Sequence, residues 1–209
     1  MLTRTTAIDA VLRAFPDDPI VVPLGTTSRE VISQAPERAN HIHLLDSMGL
    51  APAVGAGLAL GLEGSRDGKV VALEGDGGLL MGFSILATLS HLRPRGLVLI
   101  VLDDGVYAAT GGQPTGSDHV DMCGVARACD IEAAEVDEVV SLEAALEAVR
   151  TSDVTHLVRV RIDVRTRQLP HYLPDPAVLA DRFRRYLSTL TASGSTSFRG
   201  ELSLKKGDW

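Results

Sequence analysis

Leu73-Glu74-Gly75-Asp76-Gly77-Gly78 closes an apolar stretch, Lys69–Leu73, and opens a helical one, Gly78–His91. Glycines let a ligand approach the backbone closely. The first turn of a helix turns free N–H groups and the positive end of its dipole toward an anion. Asp76 is out of place beside a bare anion. It fits if a divalent cation lies between, because magnesium takes roughly six oxygens, several of them from phosphate and water. Alone, such a turn serves equally well as a tight strand-to-helix connection. A second oxygen donor from a neighbouring strand end makes the difference, and Leu102-Asp103-Asp104-Gly105-Val106-Tyr107 offers one. In a parallel sheet the strand Leu97–Leu102 ends on the same edge as Gly75–Gly78, the edge where open α/β sheets bind ligands.

Outward from this turn, short apolar runs alternate with helical stretches, which is the pattern of a parallel α/β sheet. Strands are predicted at Ile20–Leu24, Ile42–Leu45, Lys69–Leu73, Leu97–Leu102, Ile131–Val136 and His156–Ile162. The unbroken run Val98-Leu99-Ile100-Val101 suits a strand buried on both faces. Helices are predicted at Ala7–Phe15, Ser28–Gln34, Leu50–Leu62, Gly78–His91, Asp118–Ala128, Ser141–Val149 and Pro176–Leu190. Ser28 and Ser141 resemble N-caps, and Asp175-Pro176 places Pro at a first helical position. The expected architecture is a single three-layer α/β domain with a central parallel sheet over residues 1–190. A flexible tail is expected at 191–209, with Trp209 as a docking anchor in the alternative reading.

The formal net charge of -7 over 209 residues speaks against nucleic acid and anionic membranes as partners. No apolar run reaches the ~18 residues of a membrane span. The opening Met1-Leu2-Thr3-Arg4 leads into an amphipathic helix rather than a signal peptide. Two cysteines, Cys123 and Cys129, are too few for a disulfide framework, so packing roles in a cytoplasmic protein are expected.

The Gly-Asp-Gly turn followed by an acidic strand end resembles the motif of thiamine-diphosphate enzymes, where the second strand ends in paired asparagines. Gly25-Thr26-Thr27-Ser28-Arg29-Glu30, Asp46-Ser47-Met48-Gly49 and the stretch from Tyr107 to Thr115 resemble phosphonopyruvate and sulfopyruvate decarboxylases. The resemblance runs from Val21 to Thr115 with the segments in order. It implies a thiamine-diphosphate-binding fold of the diphosphate-binding type, with thiamine diphosphate and Mg2+ as cofactors. The implied cofactor residues are Gly25, Thr26, Thr27, Ser47, Met48, Gly75, Asp76, Gly77, Gly78, Asp104, Val106 and Tyr107. Asp76, Asp104 and the Val106 carbonyl are the implied metal ligands. One departure stands out: Asp103 and Asp104 occupy positions where the family has Asn, which adds negative charge beside a diphosphate.

The resemblance further implies an apolar wedge under the cofactor at Met48 and non-oxidative decarboxylation of a 2-oxo acid such as sulfopyruvate or phosphonopyruvate. In the family the carboxylate that activates the cofactor's pyrimidine comes from a separate pyrimidine-binding domain across an interface. One sheet domain occupies nearly all of this chain, so a separate α-type subunit is expected to supply that Glu. A carboligase subunit and a non-catalytic cofactor-binding or regulatory subunit remain open as alternatives. Arg29 and Glu30 read either as a structural pair or as substrate contacts. His41 and His43 read as structural or site-facing, and Gln113 and Thr115 as an entrance or a plain loop.

Overall fold

Successive residues of a strand point to opposite faces, and the buried strands of this chain separate their apolar residues accordingly into two cores. The computed structural model describes residues 2–65, 67–164, 169–170 and 174–192. In chain order the elements are α1 Arg4–Ala14, β1 Ile20–Val22, α2 Thr26–Gln34, β2 His41–His43, α3 Ala51–Leu62 and β3 Val70–Gly75. Then come α4 Asp76–Met81, α5 Ile85–Leu92, β4 Leu97–Asp103, β5 Val106–Tyr107 and β6 Gln113–Pro114. A 3-10 turn at Ser117–His119 precedes α6 Met122–Ala128, β7 Glu132–Val136, α7 Val139–Thr151, β8 His156–Arg161 and α8 Pro176–Ala192.

Six strands form one sheet in the order β2-β1-β3-β4-β8-β7, and every pair in it is parallel. On one face Val71, Leu73, Val98, Ile100, Val158 and Val160 meet Ile8, Val11 and Phe15 of α1 and its C-cap, and Leu142 and Leu146 of α7. On the other, Val70, Ala72, Leu97, Leu99 and Val101 meet α3, α5 and α6. Glycine and alanine in α3 follow from how near it lies to the sheet. A Cβ at Gly55 would stand 3.0 Å from the Ala72 Cβ and 3.2 Å from Leu97 Cδ1.

All six predicted strands are present and make up this sheet. The helices depart from expectation where distant chain intervenes. The single helix expected over Gly78–His91 is two, α4 and α5, separated around Gly82, and it begins at Asp76 rather than Gly78. Gly82 lies against the Gly49 carbonyl, which would stand 2.5 Å from a Cβ there. A helix cannot run through that crossing. Residues 118–128 likewise split into the 3-10 turn and α6, whose N-cap Asp121 accepts the Gly124 N–H. Ser28 is not a cap: α2 begins at Thr26 after Gly25, at φ 78°. Ser141 sits at N3 of α7 and closes a capping box with Glu138 as the N-cap. Pro176 does open α8, with Asp175 accepting from the Ala177 N–H. Cys123 is buried in α6, and Cys129 caps that helix rather than extending it; both are free thiols. Beyond Ala192, the expected tail lies outside the described residues. Among the described residues no helix is long and apolar enough to cross a membrane.

His41 and His43 are both buried in β2. Ser28 Oγ and His43 Nδ1 share a hydrogen bond of 2.8 Å, whereas the buried His41 Nδ1 has no partner among the described residues. Burial, reinforced by the neighbouring His43, holds the His41 pKa down at about 3. Burial and Arg182 hold His43 at about 4. Both values lie below the unfolded value near 6.5, so protons bind preferentially to the unfolded chain. Their contribution to stability is present above the unfolded value and is lost as pH falls from there toward 4. Each tenfold difference in proton affinity between the folded and unfolded chain corresponds to ~1.4 kcal/mol. Burial raises Glu74 to about 7 and Asp76 to about 6, which acts in the opposite direction over the same window. Comparing variants isolates the histidines. His41→Gln should lose less unfolding free energy than wild type between about pH 7 and pH 5, measured by denaturant titration. Parallel losses in the two proteins would show that His41 is not responsible.

Candidate functional site

The β3–β4 register places Gly75 opposite Leu102. Both strands leave the sheet at the same edge, and the turns that follow face one another. The strand order reverses direction between β1 and β3, so the Gly25–Thr27 loop after β1 and the Gly75–Gly78 turn flank the switch point where open α/β sheets take ligands. A cleft of ≈ 120 Å³ lies there. Every cofactor residue expected from the sequence lines it except Ser47, whose Oγ donates to the Leu45 carbonyl at 3.1 Å. Arg4, Glu74 and Ala108–Thr110 also line it.

Three carboxylates converge at this edge, and each has a different environment. Asp103, fully buried, belongs to a structural network. Arg159 Nε and Nη2 both reach its Oδ2 at 2.6 Å, Arg161 lies at 3.2 Å, and Ser117 Oγ donates to Oδ1 at 2.9 Å. Asp104 turns the other way, into the cleft, and pairs at 2.5 Å with Arg4 from the first turn of α1. Asp76 has no cation against it among the described residues; it accepts the Thr115 hydroxyl at 2.5 Å. Burial raises its pKa to about 6, with Asp103 and Asp104 adding to the rise. A buried carboxylate held among like charges is what a bound cation would relieve.

Backbone crossings shape the floor. Gly49, at φ 79°, packs on α4 so closely that a Cβ there would stand 2.7 Å from the Gly78 carbonyl. A Cβ on Gly77 would stand 2.3 Å from Tyr107 Cε1. Glu74 sits under the turn, accepting the Gly75 N–H at 3.1 Å and the Ala51 N–H at 3.4 Å. Space over Gly25 and Gly75 is open, with nothing within 4 Å of a Cβ built at either.

Of the remaining candidates, Thr115 reaches the cleft through Asp76, and the others do not line it. His41 and His43 do not line it. Glu30 accepts the Thr5 hydroxyl at 2.5 Å, and Arg29 reaches Thr26 Oγ1 at 3.4 Å. Gln113 bonds Thr110 in the β5–β6 hairpin, a feature not expected from the sequence. A larger cleft of ≈ 940 Å³ opens at the amino ends of the strands, with Lys69, Arg95 and Asp153 on its wall. Arg95 pairs there with Asp153 at 2.5 Å, and Lys69 lies 3.7 Å from the same carboxylate.

The donors at the carboxyl edge are hard oxygens: two carboxylates, a strand-end carbonyl and threonine hydroxyls. Among the described residues no cluster of three or more His, Cys, Asp and Glu forms a self-sufficient metal cage. Magnesium is suited by such a set, since it completes its shell with phosphate and water. A parallel sheet with these donors across its switch point defines a cofactor-binding α/β domain. Residues 25–160 match the family described as thiamine pyrophosphate enzyme, C-terminal TPP binding domain, and the chain belongs to that family. Among its relatives is the sulfopyruvate decarboxylase subunit beta of Methanococcus maripaludis, 30% identical over 182 residues, covering 87% of this chain and 96% of the relative. Phosphonopyruvate decarboxylase of Streptomyces viridochromogenes is 36% identical over 93% of this chain, which spans 48% of that enzyme. The thiamine diphosphate-dependent 4-hydroxybenzoylformate decarboxylase of Rhodococcus jostii RHA1 shares the fold, with TM-score 0.65 at 20% identity, over 78% of this chain and 33% of its own.

Gly49→Ala tests the floor. It forces a positive φ on a residue with a side chain and drives that side chain into backbone, so a loss of about 2 kcal/mol or more is expected in denaturant unfolding. Gly57→Ala, in α3 with nothing within 4 Å, should instead be neutral or stabilising by up to about 1 kcal/mol. Equal effects at both positions would mean the Gly49 crossing is not tight.

Proposed function

We propose that this chain is the diphosphate-binding subunit of a thiamine-diphosphate-dependent decarboxylase acting on a small 2-oxo acid with an anionic tail, of the sulfopyruvate or phosphonopyruvate kind. The observation that carries this reading is Asp76, buried beside the open backbone of Gly75 and facing Asp104 and Val106 without a cation of its own among the described residues. Asp76, Asp104 and the Val106 carbonyl would hold Mg2+. The Thr26 and Thr27 hydroxyls and the open glycine backbone would receive the diphosphate. Met48, on the cleft wall, would support the cofactor's rings through a soft apolar side chain. When bound, thiamine diphosphate supplies the carbon nucleophile and electron sink that let a 2-oxo acid release carbon dioxide. The residues of this chain anchor one end of that cofactor and exclude water from it. Thr115 holds the Asp76 carboxylate in place, and Glu74 fixes the turn by accepting two backbone N–H groups.

The cleft is half a site. Its ≈ 120 Å³ falls short of the ~300–1,000 Å³ that usually encloses a small ligand. Two residues after the cleft-lining Met48, Leu50 is 50% exposed, and Met81 at the end of α4, near Gly49, is 64% exposed. Exposed apolar side chains on the elements that flank an open site fit a second surface that closes over it. The alignment along 96% of a subunit named beta supports a separate α-type partner as that surface, carrying the Glu that activates the pyrimidine. The two free thiols suit a reducing cytoplasm.

Purified alone with thiamine diphosphate and magnesium, the chain should not decarboxylate sulfopyruvate or phosphonopyruvate, because a missing general acid–base is worth ~100 to 10,000-fold. Adding the α-type subunit should restore carbon dioxide release. Met81→Glu should block that restoration while leaving the isolated chain folded. Full turnover by the demonstrably pure chain would overturn the split site and direct attention to Glu74 as an internal carboxylate.

A further inference from the structure

Arg4 occupies the first position of α1, one hundred residues from the carboxylate it meets. The segment before it is pinned over the carboxyl ends of the strands: Leu2 forms a bridge with Ile162, and its carbonyl accepts the Asp163 N–H at 2.8 Å. That anchoring delivers the Arg4 side chain to the wall of the cleft. There its Nη2 donates to Asp104 Oδ2 at 2.5 Å, with 8% of the Arg4 side chain and 3% of the Asp104 side chain exposed.

The neighbouring arginine behaves differently. Arg159 directs its donors to Asp103, Glu135 and the carbonyls of Ser117 and Val120, as a structural arginine does. Arg4 bonds Asp104, and its Nε and Nη1 are buried without a partner among the described residues. Buried donors left unpaired are unfavourable, so packing alone does not account for Arg4. Its charge does. Asp104 stands where the family has a neutral Asn, and Asp76 close by adds a second carboxylate.

We propose that Arg4 and Asp104 work as one electrically neutral ligand unit, so that the site presents only the charge of Asp76 to a metal–diphosphate group. The inference rests on the cofactor reading above and adds to it a residue from outside the family motif. Asp104 keeps an oxygen donor for the metal through Oδ1, which lies 3.4 Å from the Val106 N–H. Arg4 removes the repulsion that this carboxylate would otherwise exert on the diphosphate.

The test is a four-protein cycle on the full chain: wild type, Arg4→Met, Asp104→Asn and the double variant. Each is titrated with thiamine diphosphate by calorimetry at saturating magnesium and melted by circular dichroism. Arg4→Met should weaken binding by about tenfold or more, whereas the same change in the Asp104→Asn background should matter by less than about threefold. Asp104→Asn alone should bind at least as tightly as wild type. Arg4→Met should also melt lower than wild type, because it strands a buried carboxylate, and Asp104→Asn should restore the melt. Equal losses in both backgrounds, or no loss in either, would overturn the proposal. If Arg4→Met does not fold, the double variant decides: affinity within about threefold of wild type supports the unit, and a loss of about tenfold refutes it. If thiamine diphosphate binds neither to the wild-type chain alone nor to its complex with the α-type subunit, the cofactor reading itself falls, and this inference with it.

Discussion

The parallel register of β3 on β4, with Gly75 opposite Leu102, is the constraint on which the rest of the site depends. A slip of one residue would turn each strand's apolar set to the wrong face, and both cores forbid it. With the register fixed, the chain must place Asp76, Asp103 and Asp104 at one edge of the sheet. Three carboxylates in a partly desolvated place repel one another, and the fold answers each differently. Arg159 and Arg161 neutralise Asp103, Arg4 neutralises Asp104, and Asp76 receives a hydroxyl and, among the described residues, no cation. The edge is therefore electrically unfinished at one point, and that point lies beside glycine backbone open enough to admit a ligand.

Much of this was legible in the sequence because it is local. Apolar runs pointed to all six strands of the parallel sheet: β3, β4 and β8 are buried almost throughout, whereas the edge strand β7 is mostly exposed. Gly75–Gly78 and Asp104–Tyr107 announced the cleft through residue types whose chemistry is specific. Elements that depend on distant chain were not legible. The break between α4 and α5 falls where Gly82 meets the Gly49 backbone; Gly82 is a local sign of a close approach, but the segment it meets lies far along the chain. Ser28 looked like a cap, yet Gly25 holds the N-cap position and Ser28 turns inward to His43. Arg4 stood in the lead-in before the first predicted helix, and its partner lies far along the chain. Asp103 and Asp104 read alike as neighbours, although strand alternation sends them to opposite surroundings. That alternation was a usable signal: a buried Asp at a strand end needs a cation, and Arg159 and Arg161 on β8 were available to provide it.

Stability and function meet in the same few residues. Glu74 and Asp76 are held at raised pKa by burial, so keeping them ionised at neutral pH works against folding. Glycine at positions 49, 77 and 78 gives up backbone entropy so that Tyr107, Glu74 and α4 can close on one another. Features of this kind are tolerated where a bound group offsets the loss, because a ligand that binds only the folded chain stabilises it by mass action.

The most direct test is the position of the metal. A crystal of the chain grown with thiamine diphosphate and manganese, the latter located by its anomalous signal, would place it. One metal peak is expected about 2.1 Å from an Asp76 carboxylate oxygen, in contact with Asp104 and the Val106 carbonyl, with the diphosphate over Gly75. Metal and diphosphate bound in the cleft at the amino ends of the strands, or at the carboxyl edge without Asp76, would contradict the assignment of Asp76 as the anchor of the site.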